Sequence, residues 1–222
     1  MSTPVGLEHA GRHNLAASRL ADIVSSAYVS EASSRLFSKR YKGKMFALFR
    51  HPIDRLVSKF YYLQTAKHER SYNPLLARLT IEQYASRPEY VGGNWMTRML
   101  IGKPIDPLTP KDLEEAKEII RTKCLVGLTS EMDESLNRFE AYFGWTLKDG
   151  VRGDLHQTGE QCKHSFFYPD KDEHGIKFNT HKHPKIHPGD RAWNLLAKAA
   201  EYDMNLYQTV LEVYAEQKAL FL

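Results

Sequence analysis

Only two of the 222 residues, Cys124 and Cys162, are cysteine. That excludes a disulfide scaffold and a cysteine-rich zinc site, and leaves room for a single bridge. No apolar run approaches the roughly 20 residues that a membrane span requires, and the opening MSTPVGLEHAGRHN has neither the basic nor the apolar region of a signal peptide. The compartment is left open. Excess charge is small: a net +4 and a pI near 8.9 do not announce a nucleic-acid binder, but they suit a site for a polyanionic ligand. Internal repeats are absent. What is present, 42% hydrophobic and 26% charged residues, is the balance of a soluble globular chain long enough for one domain with a sizeable core.

Residues 1–40 show a helical period through Leu15, Leu20, Ile23 and Val24, then a second short segment from Val29 to Phe37; both are expected to be surface helices. KMFALF, residues 44–49, is a short apolar run between RYKGK and Arg50-His51-Pro52, and reads as a buried strand of a parallel sheet. Pro52 suits a first helical turn, after which Ile53, Leu56, Val57, Phe60 and Tyr61 recur at helical spacing. Helical patterns follow over Leu75–Ser86 and Trp95–Leu100, then the proline-rich loop IGKPIDPLTP. Thr109 and Pro110 predict a capped helix start before DLEEAKEIIRTK. CLVGL, residues 124–128, predicts a second buried strand, with Ser130 and Asp133 as a capping box opening ESLNRFEAYFGW. Residues 148–190 are polar, rich in His, Lys, Gly and Pro, and read as a long loop region within the single domain spanning 1–222. One amphipathic helix is expected from Ala192 to Phe221. Strands alternating with helices indicate an α/β parallel sheet flanked by helices, helix-rich overall.

In such sheets ligands bind beyond the carboxyl ends of strands, and Arg50 is placed there. A guanidinium beside a helix N-terminus suits a phosphate: its fork takes two oxygens and the free amides take others. Ser58 lies two helical turns beyond Arg50, and Arg55 and Lys59 are neighbouring cations. The competing reading pairs Arg50 with a carboxylate such as Asp54 and leaves Ser58 in solvent.

The stretch matches R-x-P-x-x-R-x-x-S-x-[FY] after an apolar strand, and resembles the 3′-phosphate-binding segment of Golgi-type carbohydrate sulfotransferases, particularly the heparan sulfate 2-O- and 6-O-sulfotransferases. NWMTRML (94–100), CLVGLTSEMDESL and AEYDMNLYQTVLEVYAEQ resemble further segments of that family, in the family's order. The resemblance implies a P-loop-NTPase-like fold that binds 3′-phosphoadenosine 5′-phosphosulfate as co-substrate and moves its sulfuryl group to a carbohydrate hydroxyl, with no metal. It further implies a sulfated or uronic-acid polysaccharide as acceptor, no nucleic-acid partner, and the Golgi lumen behind a membrane anchor that this sequence does not show. By resemblance Arg50 and Ser58 bind the 3′-phosphate, Arg98 faces acceptor or cofactor unless it only packs, and Lys177, Asn179 and Lys182 contact the nucleotide or an anionic glycan.

One family part is missing. Residues 1–44 hold no match to the G-x-x-K-[VT]-[GA]-[ST]-[ST] loop that grips the 5′-phosphosulfate. A sheet incomplete at its N-terminal strand and impaired transfer are therefore expected, since charge stabilisation at the transferring group is a large part of catalysis. The family's general base is a histidine or glutamate before the arginine strand, for which Glu31 and His13 are the candidates here; both otherwise read as surface residues. HGIKFNTHKHPKIHP (174–188) crowds four histidines with three lysines, but without cysteine or carboxylate at a ligand spacing it reads as a cation-rich loop and not a metal site. Trp95, Trp145 and Trp193 read as packing. Two alternatives to transfer stand: a non-catalytic nucleotide- or glycan-binding remnant, and a basic nucleic-acid-binding module.

Overall fold

The computed structural model describes residues 3–69, 71–144 and 183–221. Helices α1 (Pro4–Arg12) and α2 (Val29–Leu36) precede strand β1 (Met45–Phe49) and helix α3 (Pro52–Leu63). Short helices α4 (Ile81–Ala85), α5 (Pro88–Val91) and α6 (Trp95–Ile101) follow, then α7 (Pro110–Lys123), β2 (Cys124–Leu128) and α8 (Met132–Phe143). The chain ends in α9 (Arg191–Ala199) and α10 (Glu201–Glu216).

Both predicted strands form, and they pair in parallel with Met45 opposite Cys124 and Phe49 opposite Leu128. Each runs into a helix through a tight connection, so the two strand-turn-helix units lie side by side and present their carboxyl ends together. β2 is buried throughout because α7, α8 and α10 all pack on it. β1 departs from the expectation of burial: only Phe49 is buried and Leu48 is 40% exposed, since among the described residues the sheet has two strands.

The outer edge of β2 is closed by side chains. Gln217 accepts from the Val126 amide (2.9 Å) and donates to the Cys124 carbonyl (2.7 Å), so its carboxamide occupies the position of a neighbouring peptide group. Ser135 Oγ takes the Leu128 amide at 2.8 Å. An edge so occupied offers no free ladder to another chain.

Several boundaries differ from the periodicity. Thr109 does cap α7, in a capping box completed by Asp112. Lys103 and Thr109 hold the Asp112 carboxyl down at about 2, below the ordinary range. Ser130, in contrast, caps nothing: a 3-10 turn spans Thr129–Glu131 and α8 starts at Met132 without a side-chain cap. The expected helix through Leu15–Val24 shrinks to one turn, Leu15–Ser18, because Leu20 and Ile23 find nothing to bury against and stay exposed. Leu75–Ser86 divides into a 3-10 turn (Pro74–Arg78) and α4, whose start Thr80 and Gln83 fix by a capping box. The closing helix breaks at Ala200 (φ −113°, ψ 30°).

Among the described residues two hydrophobic clusters result. One joins Phe49, Val126, Leu128, Ile120, Leu206 and Val210; the other joins Ile53, Leu56, Phe60, Tyr84, Val91 and Leu196. Residues 50–52 cross the seam between them. Gly127 illustrates how closely the first is packed: a Cβ there would meet Phe139 Cζ at 2.6 Å and Leu48 Cδ2 at 2.9 Å. Gly127→Ala is therefore expected to lower stability by about 1–3 kcal/mol, read as a lower urea midpoint with unchanged m-value; an unchanged midpoint would show that α8 can lift away freely.

Candidate functional site

The seam is where polar side chains gather. β1 ends at Phe49, His51 takes an extended conformation (φ −51°, ψ 129°), and Pro52 opens α3 with its first-turn amides facing the strand ends. Arg50 is half-exposed at this point. Asp54 is not its partner: among the described residues no carboxylate lies within ion-pairing distance of the Arg50 guanidinium. Asp54 instead bears electrostatically on His51 and Tyr207. Ser58 is half-exposed on the polar flank of α3, about 9 Å along the helix axis from Pro52. Arg50 and Ser58 thus share one strand-helix unit, and neither is sealed from solvent.

His51 is held by rings. It stacks on Trp193 (centroids 5.4 Å apart) and meets Tyr207 edge-on (5.3 Å). Burial lowers its pKa, against a smaller upward pull from Asp54, so the imidazole is neutral at pH 7. Its Nδ1 is buried without a hydrogen-bond partner among the described residues. Burial raises the Tyr207 hydroxyl, and Ser130, from the carboxyl end of β2, touches it. Ser130 therefore serves the strand-end cluster instead of a helix cap.

The next turn of α3 carries Arg55 and Lys59. Arg55 stands over the Trp95 ring at 5.4 Å and 3.8 Å from Asp203. Lys59 donates to the carbonyls of Val91 (3.1 Å) and Tyr90 (3.5 Å) at the end of α5. Both cations are pushed below their ordinary pKa, by burial first. Asp203, fully buried, accepts from the Met96 amide (3.0 Å), the Thr97 amide (2.9 Å) and the Thr97 hydroxyl (2.9 Å). Its own amide donates to Asn94 Oδ1 at 3.1 Å. The segments NWMTRML and EYDMNLY, more than 100 residues apart, are thereby locked together: the carboxylate caps α6 at the positive end of its dipole.

The other sequence-derived candidates fall elsewhere. Arg98 turns its Nη1 onto the Asp106 carbonyl (2.6 Å) and the Lys103 carbonyl (3.2 Å), closing the loop after α6. His13 is the exposed C-cap of α1, edge-on to His9 at 4.5 Å. Glu31 is half-exposed in the first turn of α2, which packs on α1 and α6. Lys177, Asn179 and Lys182 lie outside the described residues. Of the histidine-rich stretch, His183 and His187 are described, and His183 stacks on Tyr61 at 5.3 Å; among the described residues no group of three His, Cys, Asp or Glu is arranged to hold a metal. His51 and Tyr207 were not singled out from sequence, and Trp193 was read there as packing. His51 had a usable signal in its place directly after Arg50, and Tyr207 in its place in EYDMNLY.

In comparison with known proteins, no family model matches the chain, and no curated protein or solved structure matches it.

Proposed function

We propose that this chain is a sulfotransferase-type domain of P-loop-like α/β architecture that binds the 3′-phosphate of 3′-phosphoadenosine 5′-phosphosulfate through Arg50 and Ser58. The observation that carries the reading is Arg50 itself: a half-exposed guanidinium, unpaired among the described residues, at the joined carboxyl ends of two parallel strands and ahead of a helix N-terminus. The union of NWMTRML with EYDMNLY supports it, because these resembling segments meet beside Arg55, within the same helix as Ser58.

The reaction is transfer of a sulfuryl group to a carbohydrate hydroxyl, in a Golgi-type setting, on a sulfated or uronic-acid polysaccharide. The acceptor oxygen bonds to sulfur as the bond from sulfur to the 5′-phosphate oxygen breaks, and the hydroxyl proton passes to a base. Arg50 and Ser58 anchor the far end of the donor and so fix the line of attack. Stabilising the charge that develops near sulfur falls to a P-loop of the family's type, for which residues 1–44 hold no match. A second reading needs the Arg50 anchor alone: a nucleotide-binding domain without transfer.

Calorimetric titration with adenosine 3′,5′-bisphosphate tests the shared step. The chain is expected to bind, and Arg50→Ala to weaken binding by about 30-fold or more, the equivalent of losing about 2 kcal/mol or more of charge-assisted contact. Equal affinity in Arg50→Ala would refute the site. Transfer of labelled sulfate to a polysaccharide then separates the enzyme from the nucleotide-binding domain.

A further inference from the structure

We infer that the flank of α3 carries a second oxyanion site, formed by Arg55, Lys59 and Tyr84, which receives the tetrahedral oxyanion of a sulfate or phosphate monoester. It does not rest on Arg50 and Ser58, and it stands or falls separately from the nucleotide reading.

The first support is unspent hydrogen-bonding capacity. Tyr84 has a relative exposure of 0%, and its hydroxyl has no partner among the described residues. Arg55 Nε and Nη2 are likewise buried and without a hydrogen-bond partner there. Arg55 and Tyr84 are close enough to influence each other's titration. Buried polar groups are ordinarily satisfied, because each forfeits its hydration on folding; donors grouped in this way call for one acceptor with several oxygens. Burial holds the Tyr84 phenol up at about 12, so at neutral pH it has a proton to donate. Lys59 gives two of its N–H groups to the carbonyls of Tyr90 and Val91 and keeps a third.

The second support is charge. Arg55 is repelled by Arg50 on one side and itself bears on Lys59 on the other. The carboxylate facing Arg55 is Asp203, and three donors from Met96 and Thr97 already occupy its oxygens, with the ion pair left at 3.8 Å. Asp54 is exposed and acts on His51 and Tyr207. Positive charge is thus in excess of what the facing carboxylate offsets. A bound water would satisfy donors and leave that excess; an oxyanion meets both.

The test follows the Nε–H cross-peak of Arg55 in nitrogen-15 spectra of the full chain, assigned by its loss in Arg55→Lys, while sodium sulfate is added. A saturable shift is expected. Tyr84→Phe, which keeps the ring and removes the donor, is expected to weaken sulfate binding about fivefold, and the shift is expected to persist in Arg50→Ala. In that Arg50→Ala background, a shift caused by adenosine 3′,5′-bisphosphate assigns the site to a nucleotide phosphate, and one caused by glucosamine 6-sulfate assigns it to a sulfated glycan. No saturable shift, an affinity unchanged in Tyr84→Phe, or loss of the shift in Arg50→Ala would each overturn the second site. Loss in Arg50→Ala would show that Arg50 and Arg55 serve one anion, leaving the nucleotide reading intact.

Discussion

Asp203→Ala is expected to lower unfolding free energy by about 3–5 kcal/mol, a large part of the 5–15 kcal/mol typical of a domain. The carboxylate is fully buried and accepts three hydrogen bonds, from Met96 N, Thr97 N and Thr97 Oγ1. Alanine would orphan all three donors at the start of α6 and leave Arg55 without its counter-charge. Which loss dominates can be reasoned from the geometry. The ion pair is long, at 3.8 Å, and burial is the largest influence on both partners, raising Asp203 and lowering Arg55. Coulomb attraction therefore does not recover the cost of desolvating the two charges. The hydrogen bonds at 2.9–3.0 Å hold the carboxylate in place, and they bind it to α6. In a double-mutant cycle with Arg55→Met, most of the Asp203→Ala loss should survive, with a coupling of about 1 kcal/mol. Urea unfolding of the four proteins measures this. A loss below about 1 kcal/mol for Asp203→Ala, or a loss that vanishes when Arg55 is Met, would show that the capping account is wrong.

The same residue shows how far the sequence could be read. Both strands were legible because KMFALF and CLVGL are short apolar runs between polar turns, and the register then pairs them residue for residue. α7 was legible from Thr109 and Pro110, since capping is local chemistry. Ser130 shows the limit of that chemistry. It has the residue type of a cap and an acid three positions on, but the chain needs a 3-10 turn to bring α8 onto β2, and the serine faces Tyr207 instead. The break at Ala200 had no local signal at all: nothing in RAWNLLAKAAEYDMNLY disfavours a helix, and the interruption coincides with the close approach of Gly93, in a loop distant in the chain, to Ala199. Of the site, Arg50 and Ser58 could be placed from the strand-helix pattern. Arg55 was visible only as a neighbouring cation, because its role depends on Asp203, Trp95 and Tyr84, which tertiary packing alone brings to it.

That loop contact yields the other large effect. An added Cβ on Gly93 would lie 1.8 Å from the carbonyl oxygen of Ala199 and 2.7 Å from its carbon. Both are backbone atoms at the end of α9, and no side-chain rotation relieves the overlap; the Asn94 turn and the α9–α10 corner must separate. Gly93→Ala is expected to cost about 3 kcal/mol or more. Gly92→Ala is the control that tells space from conformation. Gly92 has φ +59°, so alanine there is strained, but its Cβ would meet only Lys59 Nζ, the mobile end of a long side chain, at 3.1 Å. That substitution should cost about 1 kcal/mol. The two variants also differ in reach. Parting the corner pulls the Asp203 amide off Asn94 Oδ1 (3.1 Å) and loosens the cap on α6, so Gly93→Ala should weaken binding at the α3 flank as well as stability, whereas Gly92→Ala should leave the Asp203 cap in place. Thermal melts of both, with nitrogen-15 spectra of the Met96 and Thr97 amides, check this. Equal melting points would mean that the corner yields to the added methyl and that Gly93 is not what breaks the terminal helix at Ala200.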